Sequence, residues 1–182
     1  MGHWRNDTIA SWRSNLPSRL APPLSVTSVE TSSEFLPELR NSSDVRRAEA
    51  AGRLQILAGE GRTRKWGFPV GFTTLNDQEK AQHARAIVEM VSECCFDLVL
   101  VDGRWRIASA LHALRLADEG TRIVIHDAHR YRPKLIAAWF HVDEEVSDLK
   151  VLRPHSSSIA AARANASNFS AAYQLALLDR MR

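Results

Sequence analysis

Two rhythms of apolar residues alternate along this chain, one of period two and the other near 3.6. Leu24-Ser25-Val26-Thr27-Ser28-Val29-Glu30 alternates apolar with polar side chains, is rich in β-branched residues, and predicts a strand ending on an acid. Ser32 or Ser33 stands where a helix cap belongs, ahead of Phe35, Leu36 and Leu39 on one helical face. Leu54 to Ala58 reads as a further short strand, followed by a glycine- and arginine-rich loop from Gly59 to Phe72. Asp77 reads as the cap of a helix reaching Glu93, with Ala84, Ile87, Val88 and Val91 at helical spacing. Phe96-Asp97-Leu98-Val99-Leu100-Val101 is almost continuously apolar, as a buried parallel strand requires, and it runs directly into Asp102-Gly103.

A second clear helix follows from Trp105 to Ala117, with Ala108, Leu111, Ala113, Leu114 and Leu116 as its apolar positions and Gly120 ending it. Thr121 to Ile125 predicts the next buried strand, which delivers His126-Asp127. Leu135 to Phe140 reads as helical, Val142 to Val151 as two edge strands, and Ile159 to Leu178 as one terminal helix. Before Leu24 the pattern is weak, although Thr8 to Leu16 fits a short helix stopped by Pro17, Pro22 and Pro23. Strands alternating with helices predict one α/β domain over residues 24–182, with a doubly wound, mostly parallel sheet, behind a weakly patterned segment 1–23. In such sheets ligands sit outside the carboxyl ends of the strands. Those ends carry Glu30, Asp102 and His126-Asp127.

Composition narrows the reading only a little. At 182 residues the chain can bury a real core without disulfides or a structural metal. No apolar run approaches the roughly 20 residues of a membrane span, and Met1 to Asp7 lacks the apolar stretch of a secretion signal, so a cytoplasmic home is expected. Arginine supplies twenty of the 24 basic residues, giving a formal charge of +3. Acids and bases are interspersed, which points away from nucleic acid. Cys94 and Cys95 are sequence neighbours, a placement that strains a bridge between them, so a reduced pair is expected.

The strand-end residues suggest specific chemistry. Glu30 can accept hydrogen bonds from two ribose hydroxyls, or can serve the start of the following helix. Asp102 can hold an ammonium group, a metal or a substrate hydroxyl, and Gly103 behind it permits a tight turn and close backbone approach. Asp102 and Asp127, with His126, form an oxygen-rich donor set suited to magnesium or manganese, or else lie in loops that begin helices. His126 titrates near neutrality and can act as a general base, or be a buried, hydrogen-bonded histidine. Pairing His126 with His129 on zinc lacks a clear third ligand. Arg104, Arg106, Arg130 and Arg132 form a cationic mouth for an anionic substrate, or a solvated surface.

The runs Phe96 to Arg106 (FDLVLVDGRWR) and Ile123 to Arg130 (IVIHDAHR), with Tyr131 after them, resemble class I S-adenosylmethionine-dependent methyltransferase-like proteins. Ser28-Val29-Glu30, Trp66 to Val70 and the ending Tyr173 to Arg180 add to a resemblance that spans Val26 to Arg182. It implies a seven-stranded, Rossmann-like sheet that places Glu30 on the cofactor ribose and Asp102 near the methionine end. His126 and Asp127 would face the methyl acceptor, an oxygen or nitrogen of a small anionic molecule. Related groups hold a divalent metal between equivalent carboxylates. Two departures stand out. Before Glu30 the chain has only Gly2 and no glycine-rich loop, so an incomplete or atypical first strand is expected. The acid expected after the third strand is replaced by Gly59, with Glu60 as its substitute. The departures imply either a start later than the family's or a remnant without cofactor binding, serving as a binding or interaction module.

Overall fold

The computed structural model of the protein describes residues 8–13, 25–61, 70–131 and 133–178. Its strands, numbered in chain order, are β1 (Thr8–Arg13), β2 (Ser25–Ser32), β3 (Leu54–Gly61), β4 (Leu98–Asp102), β5 (Arg122–Ile125), β6 (Phe140–Val146) and β7 (Leu149–Pro154). The helices are α1 (Leu36–Asn41), α2 (Ser43–Ala50), α3 (Asp77–Val88), α4 (Arg106–Leu116), α5 (Pro133–Ala137), α6 (Ser156–Arg163) and α7 (Ser167–Leu178). All seven strands form one sheet in the order β3-β2-β1-β4-β5-β7-β6.

The sheet is mixed. Parallel ladders join β2 to β3 and β4 to β5, each across a helical crossover, while the other four ladders are antiparallel. Five strands nonetheless share one direction, with β1 and β7 opposed. The expected parallel character therefore holds for strand direction and not for most pairings. The first strand is indeed atypical: β1 lies at the sheet's centre but runs against both neighbours. Only eleven residues separate Arg13 from Ser25, whereas a parallel return needs a crossover of about a dozen residues or more. The short link permits the antiparallel return.

Several sequence expectations are corrected. Thr8 to Leu16 contributes a strand rather than a helix, because β2 and β4 leave facing backbone groups that only an inserted strand can pair. After β2 the chain makes a 3-10 turn at Ser33–Phe35, and α1 starts beyond Phe35 without a side-chain cap. The cap of α3 is Asn76, not Asp77. Its side chain accepts from the Glu79 backbone N–H at 2.9 Å while Glu79 accepts from the Asn76 N–H at 2.7 Å, a reciprocal capping box. The helical reading of Leu135 to Phe140 ends early, since Phe140 opens β6. The terminal helix is two, α6 and α7, separated near Asn165, whose φ of 49° breaks the helical path. The Trp66 to Pro69 motif and Arg132 lie outside the described residues.

The core forms around α4, in which every residue except Arg115 is buried. A helix buried nearly all round needs cover on several sides, and α3, α6, α7 and strands β4 and β5 supply it. Arg115 closes the cluster from outside: its guanidinium lies over the rings of Phe169 (5.2 Å) and Tyr173 (4.8 Å) and reaches Glu89 at 3.1 Å. The Tyr173 hydroxyl donates to the same Glu89 oxygen at 3.1 Å, tying α7 to the end of α3. No helix among the described residues is long and apolar enough to cross a membrane.

Gly59 has a local steric reason. A Cβ there would stand 2.7 Å from the Thr31 carbonyl oxygen, where the β2–β3 register shifts at Ser32. Gly59→Ala should therefore destabilise the fold by about 1–3 kcal/mol in urea unfolding. A change within the few tenths typical of surface substitutions would show that the strands part easily at this point.

His112 gives a pH dependence. Its Nε2–H donates to the Val91 carbonyl at 2.9 Å, while Nδ1 is buried without a partner among the described residues. Burial pulls its pKa below the ordinary value of about 6.5, the Val91 hydrogen bond only partly opposing. The unfolded chain thus binds a proton that the folded chain refuses. This share of stability is complete above about pH 6.5 and is lost as pH falls through the lowered pKa. His112→Gln should flatten the acid limb of a Tm-versus-pH curve; an unchanged limb would assign it to other groups.

Candidate functional site

The carboxyl ends of β2, β4 and β5 lie along one edge, and the register fixes how far apart they stand. Thr8 pairs with Glu30 on one side and Asp102 on the other. Glu30 and Asp102 therefore share a transverse row and a sheet face, with Cα atoms two strand spacings apart, roughly 10 Å. Glu30 is only 1% exposed. Its row continues into β3 at Ala58, so Glu60 stands two residues further along, its backbone opposite Ser32, and its side chain lies outside the described residues. Gly103 is buried directly behind Asp102.

Beyond β4 and β5 the charged groups converge. His126 lies between two carboxylates, with Nδ1 2.6 Å from Asp102 Oδ1 and Nε2 2.8 Å from Asp148 Oδ2. A neutral imidazole has one N–H to give, so donating at both nitrogens requires the charged ring. Burial works against that charge. The hydrogen bond and charge of Asp102, with the fields of Asp148 and Asp127, outweigh it and hold the His126 pKa above its ordinary value.

Arg106 ties the β4 and β5 ends together. Its Nη2 lies 3.3 Å from Asp102 Oδ1 and 3.4 Å from Asp127 Oδ2, while Nη1 donates to the Tyr131 hydroxyl at 3.2 Å. At 7% exposure Arg106 is an internal strut, not part of a cationic mouth. Burial opposes its charge, but Tyr131, Asp102 and Asp127 hold its pKa up. The Tyr131 phenol is itself pushed up by burial, with Arg106 and the more distant Arg104 pulling against the shift. Arg130 reaches Asp127 at 3.3 Å and is nearly half exposed, the accessible cation of this group. His129 is exposed and does not join the cluster.

Backbone strain marks the same region. Among the described residues, four non-glycine residues have positive φ, and three of them ring the site: Trp105 (52°), Asp127 (54°) and Ser147 (56°). Trp105 starts α4, Asp127 precedes the 3-10 turn at Ala128–Arg130, and Ser147 precedes Asp148 in the β6–β7 turn. Conformations of this kind cost about 1–3 kcal/mol each and persist where the surroundings fix them. Here the fixing is visible at one point: the Ala128 N–H donates to the Asp148 carbonyl at 3.2 Å, holding the turn against β5's end.

The structure thus brings Asp102, His126, Asp127 and Arg130 together and adds Asp148, which the sequence did not single out. The donor atoms of His126, Asp127 and Asp148 lie within 4.8 Å of one another, the spacing of ligands around one ion. Asp102, expected to pair with Asp127 on a metal, instead backs the histidine. When His126 is protonated, it balances the three aspartates together with Arg106 and Arg130.

No protein-family model matches this sequence, and no curated protein matches it. Among solved structures, a methyltransferase-like protein from Silicibacter pomeroyi DSS-3 aligns over 75% of this chain and 75% of its own, at 18% identity and a TM-score of 0.45. A likeness of that extent assigns neither a family nor an activity.

Asp102→Asn and Asp148→Asn should each lower the His126 pKa, observed by NMR titration of its ring protons. The Asp102 change should be the larger, since Asp102 supplies both a hydrogen bond and a charge in the forces on His126. An unmoved titration in Asp148→Asn would mean that the β6–β7 turn does not hold the ring in solution.

Proposed function

We propose that this chain is a methyltransferase-type protein that binds S-adenosylmethionine along the carboxyl edge of its sheet and methylates an oxygen or nitrogen of a small anionic molecule. The observation that carries this reading is the pairing of two separate acid positions on one sheet face, Glu30 and Asp102, with the His126 cluster beside the second. Two carboxylates roughly 10 Å apart suit a ligand with ribose hydroxyls at one end and an ammonium group at the other. Glu30, buried in this structure, would have to be uncovered to take the hydroxyls, and Asp102 and Gly103 would border the ammonium end, with Glu60 a further candidate on the adenine side. When bound, the sulfonium cofactor supplies an activated methyl group.

The chain's own residues would do the rest. Arg130, with Arg104 nearby, would draw in the acceptor's anionic group. An acceptor hydroxyl or amine displacing Asp148 would meet His126 Nε2 with Asp102 behind the ring. In its charged state His126 orients the acceptor; after losing its proton it can accept the acceptor's. Asp127, gripped by Arg106 and Arg130, is the more fixed charge and serves to position rather than to move protons. Holding the partners in line supplies much of the rate in a displacement of this type. A divalent ion would take His126 Nε2, Asp127 and Asp148 as ligands, and would have to displace the imidazole proton and weaken both arginine pairs.

A second reading has its own observation. The amino end of β1, not its carboxyl end, meets this edge, so β1 cannot lead from here into a phosphate- or cofactor-cradling turn and helix. That favours a binding module that keeps the sheet and lacks the cradle.

Calorimetric titration with S-adenosylmethionine and S-adenosylhomocysteine separates the two. The enzyme reading expects micromolar binding, about −8 kcal/mol, weakened at least tenfold in Glu30→Gln and in Asp102→Asn. A chain that unfolds cooperatively yet takes up neither compound is the binding module.

A further inference from the structure

Cys94 and Cys95 lie at the opposite edge of the sheet, just before β4, and the proposed function leaves them unused. Their loop is pinned on both sides. Val91 and Phe96 are buried, His112 donates to the Val91 carbonyl at 2.9 Å, and the Thr121 hydroxyl donates to the Phe96 carbonyl at 2.7 Å. Between these anchors Cys94 is exposed and Cys95 half-buried, both reduced. As chain neighbours the two thiols can reach one ligand together. Arg163 from the end of α6, held by the Ala117 carbonyl at 2.7 Å, brings its Nη2 to 4.0 Å from Cys95 Sγ, a cation placed to stabilise a developing thiolate.

Oxidation is the less favourable fate of such a pair. Consecutive Cα atoms are at most about 3.80 Å apart, short of the roughly 4.4 Å at which unstrained disulfides begin. An ion held between the sulfurs relieves that strain, because the sulfurs no longer need to approach to bonding distance. Soft thiolate donors also select soft, thiophilic ions over hard ones.

We propose that Cys94 and Cys95 form a chelating dithiol site for a thiophilic ion of the trivalent arsenic class, captured through both sulfurs. With an aryl arsenic(III) oxide, each S–H gives its proton to the oxide oxygen. Two As–S bonds form, the As–O bond breaks and one water leaves, with no change of oxidation state. The Cys95 S–H donated to Cys94, together with burial, holds the Cys95 thiol above its ordinary pKa. The site does not depend on the carboxyl-edge reading.

The test uses the full-length reduced protein and phenylarsine oxide, read by intact mass and thiol titration. One adduct per chain, the loss of both thiols, survival in a tenfold excess of glutathione and release by a dithiol are expected. Cys94→Ser and Cys95→Ser should each bind at least tenfold more weakly and lose the adduct to glutathione. Cys94 is exposed, so its variant decides the matter even if the Cys95 variant fails to fold. Adducts that persist in Cys94→Ser, a wild-type adduct stripped by glutathione, or unreduced protein with no titratable thiols would each overturn the proposal.

Discussion

A buried guanidinium in the first turn of α4 is the constraint from which the geometry of the site follows. A cation at a helix amino terminus opposes the helix dipole, and α4 begins without a side-chain cap. Arg106 is tolerated there because Asp102 and Asp127 converge on it from two strand ends while Tyr131 accepts from its other arm. Each of those groups is in turn fixed by Arg106. A buried pair deprived of one member costs about 3–5 kcal/mol, since the remaining charge is left uncompensated. The positions of Asp102 and Asp127 are therefore matters of folding as much as of chemistry, and His126 inherits its orientation from Asp102.

Sequence and structure agree where short-range pattern decides the outcome. The continuous apolar run before Asp102 and the shorter one before His126 give buried parallel strands, and the helix between them has its start and stop within a residue or two of expectation. The strand-end positions of Glu30, Asp102, His126 and Asp127 were legible for that reason. Arg106 was legible as a charge and misread in place: nothing in the local pattern distinguishes an arginine that turns inward to two acids from one that faces water. Asp148 carried even less signal, being one acid in a turn between weakly patterned edge strands. Its partner is 22 residues away in sequence, and only the antiparallel return of β7 along β5 brings it to His126.

The central strand follows the same logic in reverse. Thr8–Arg13 has too little pattern of its own to declare a strand, and pairing with β2 and β4 decides its conformation. The short link to β2 permits its antiparallel direction. Gly59, read as the loss of an acid, has a steric explanation in the close approach of Thr31. The departure at Gly59 thus has a local physical cause, whatever the chain binds.

The β6–β7 hairpin closes the outer edge of the sheet, and its turn also holds one of the three aspartates around His126. Those two duties cannot vary independently. If the hairpin swings outward, His126 loses a carboxylate and binds its proton less tightly; if His126 is neutral, the turn loses a charged anchor and keeps the Ala128 N–H bond to the Asp148 carbonyl and the β5–β7 ladder. By reciprocity the free energy linking the two is the same in either direction. The edge of the sheet and the protonation of a ring at its mouth are in this sense one variable, so acidity at the site is also a measure of how firmly the outermost strands are held.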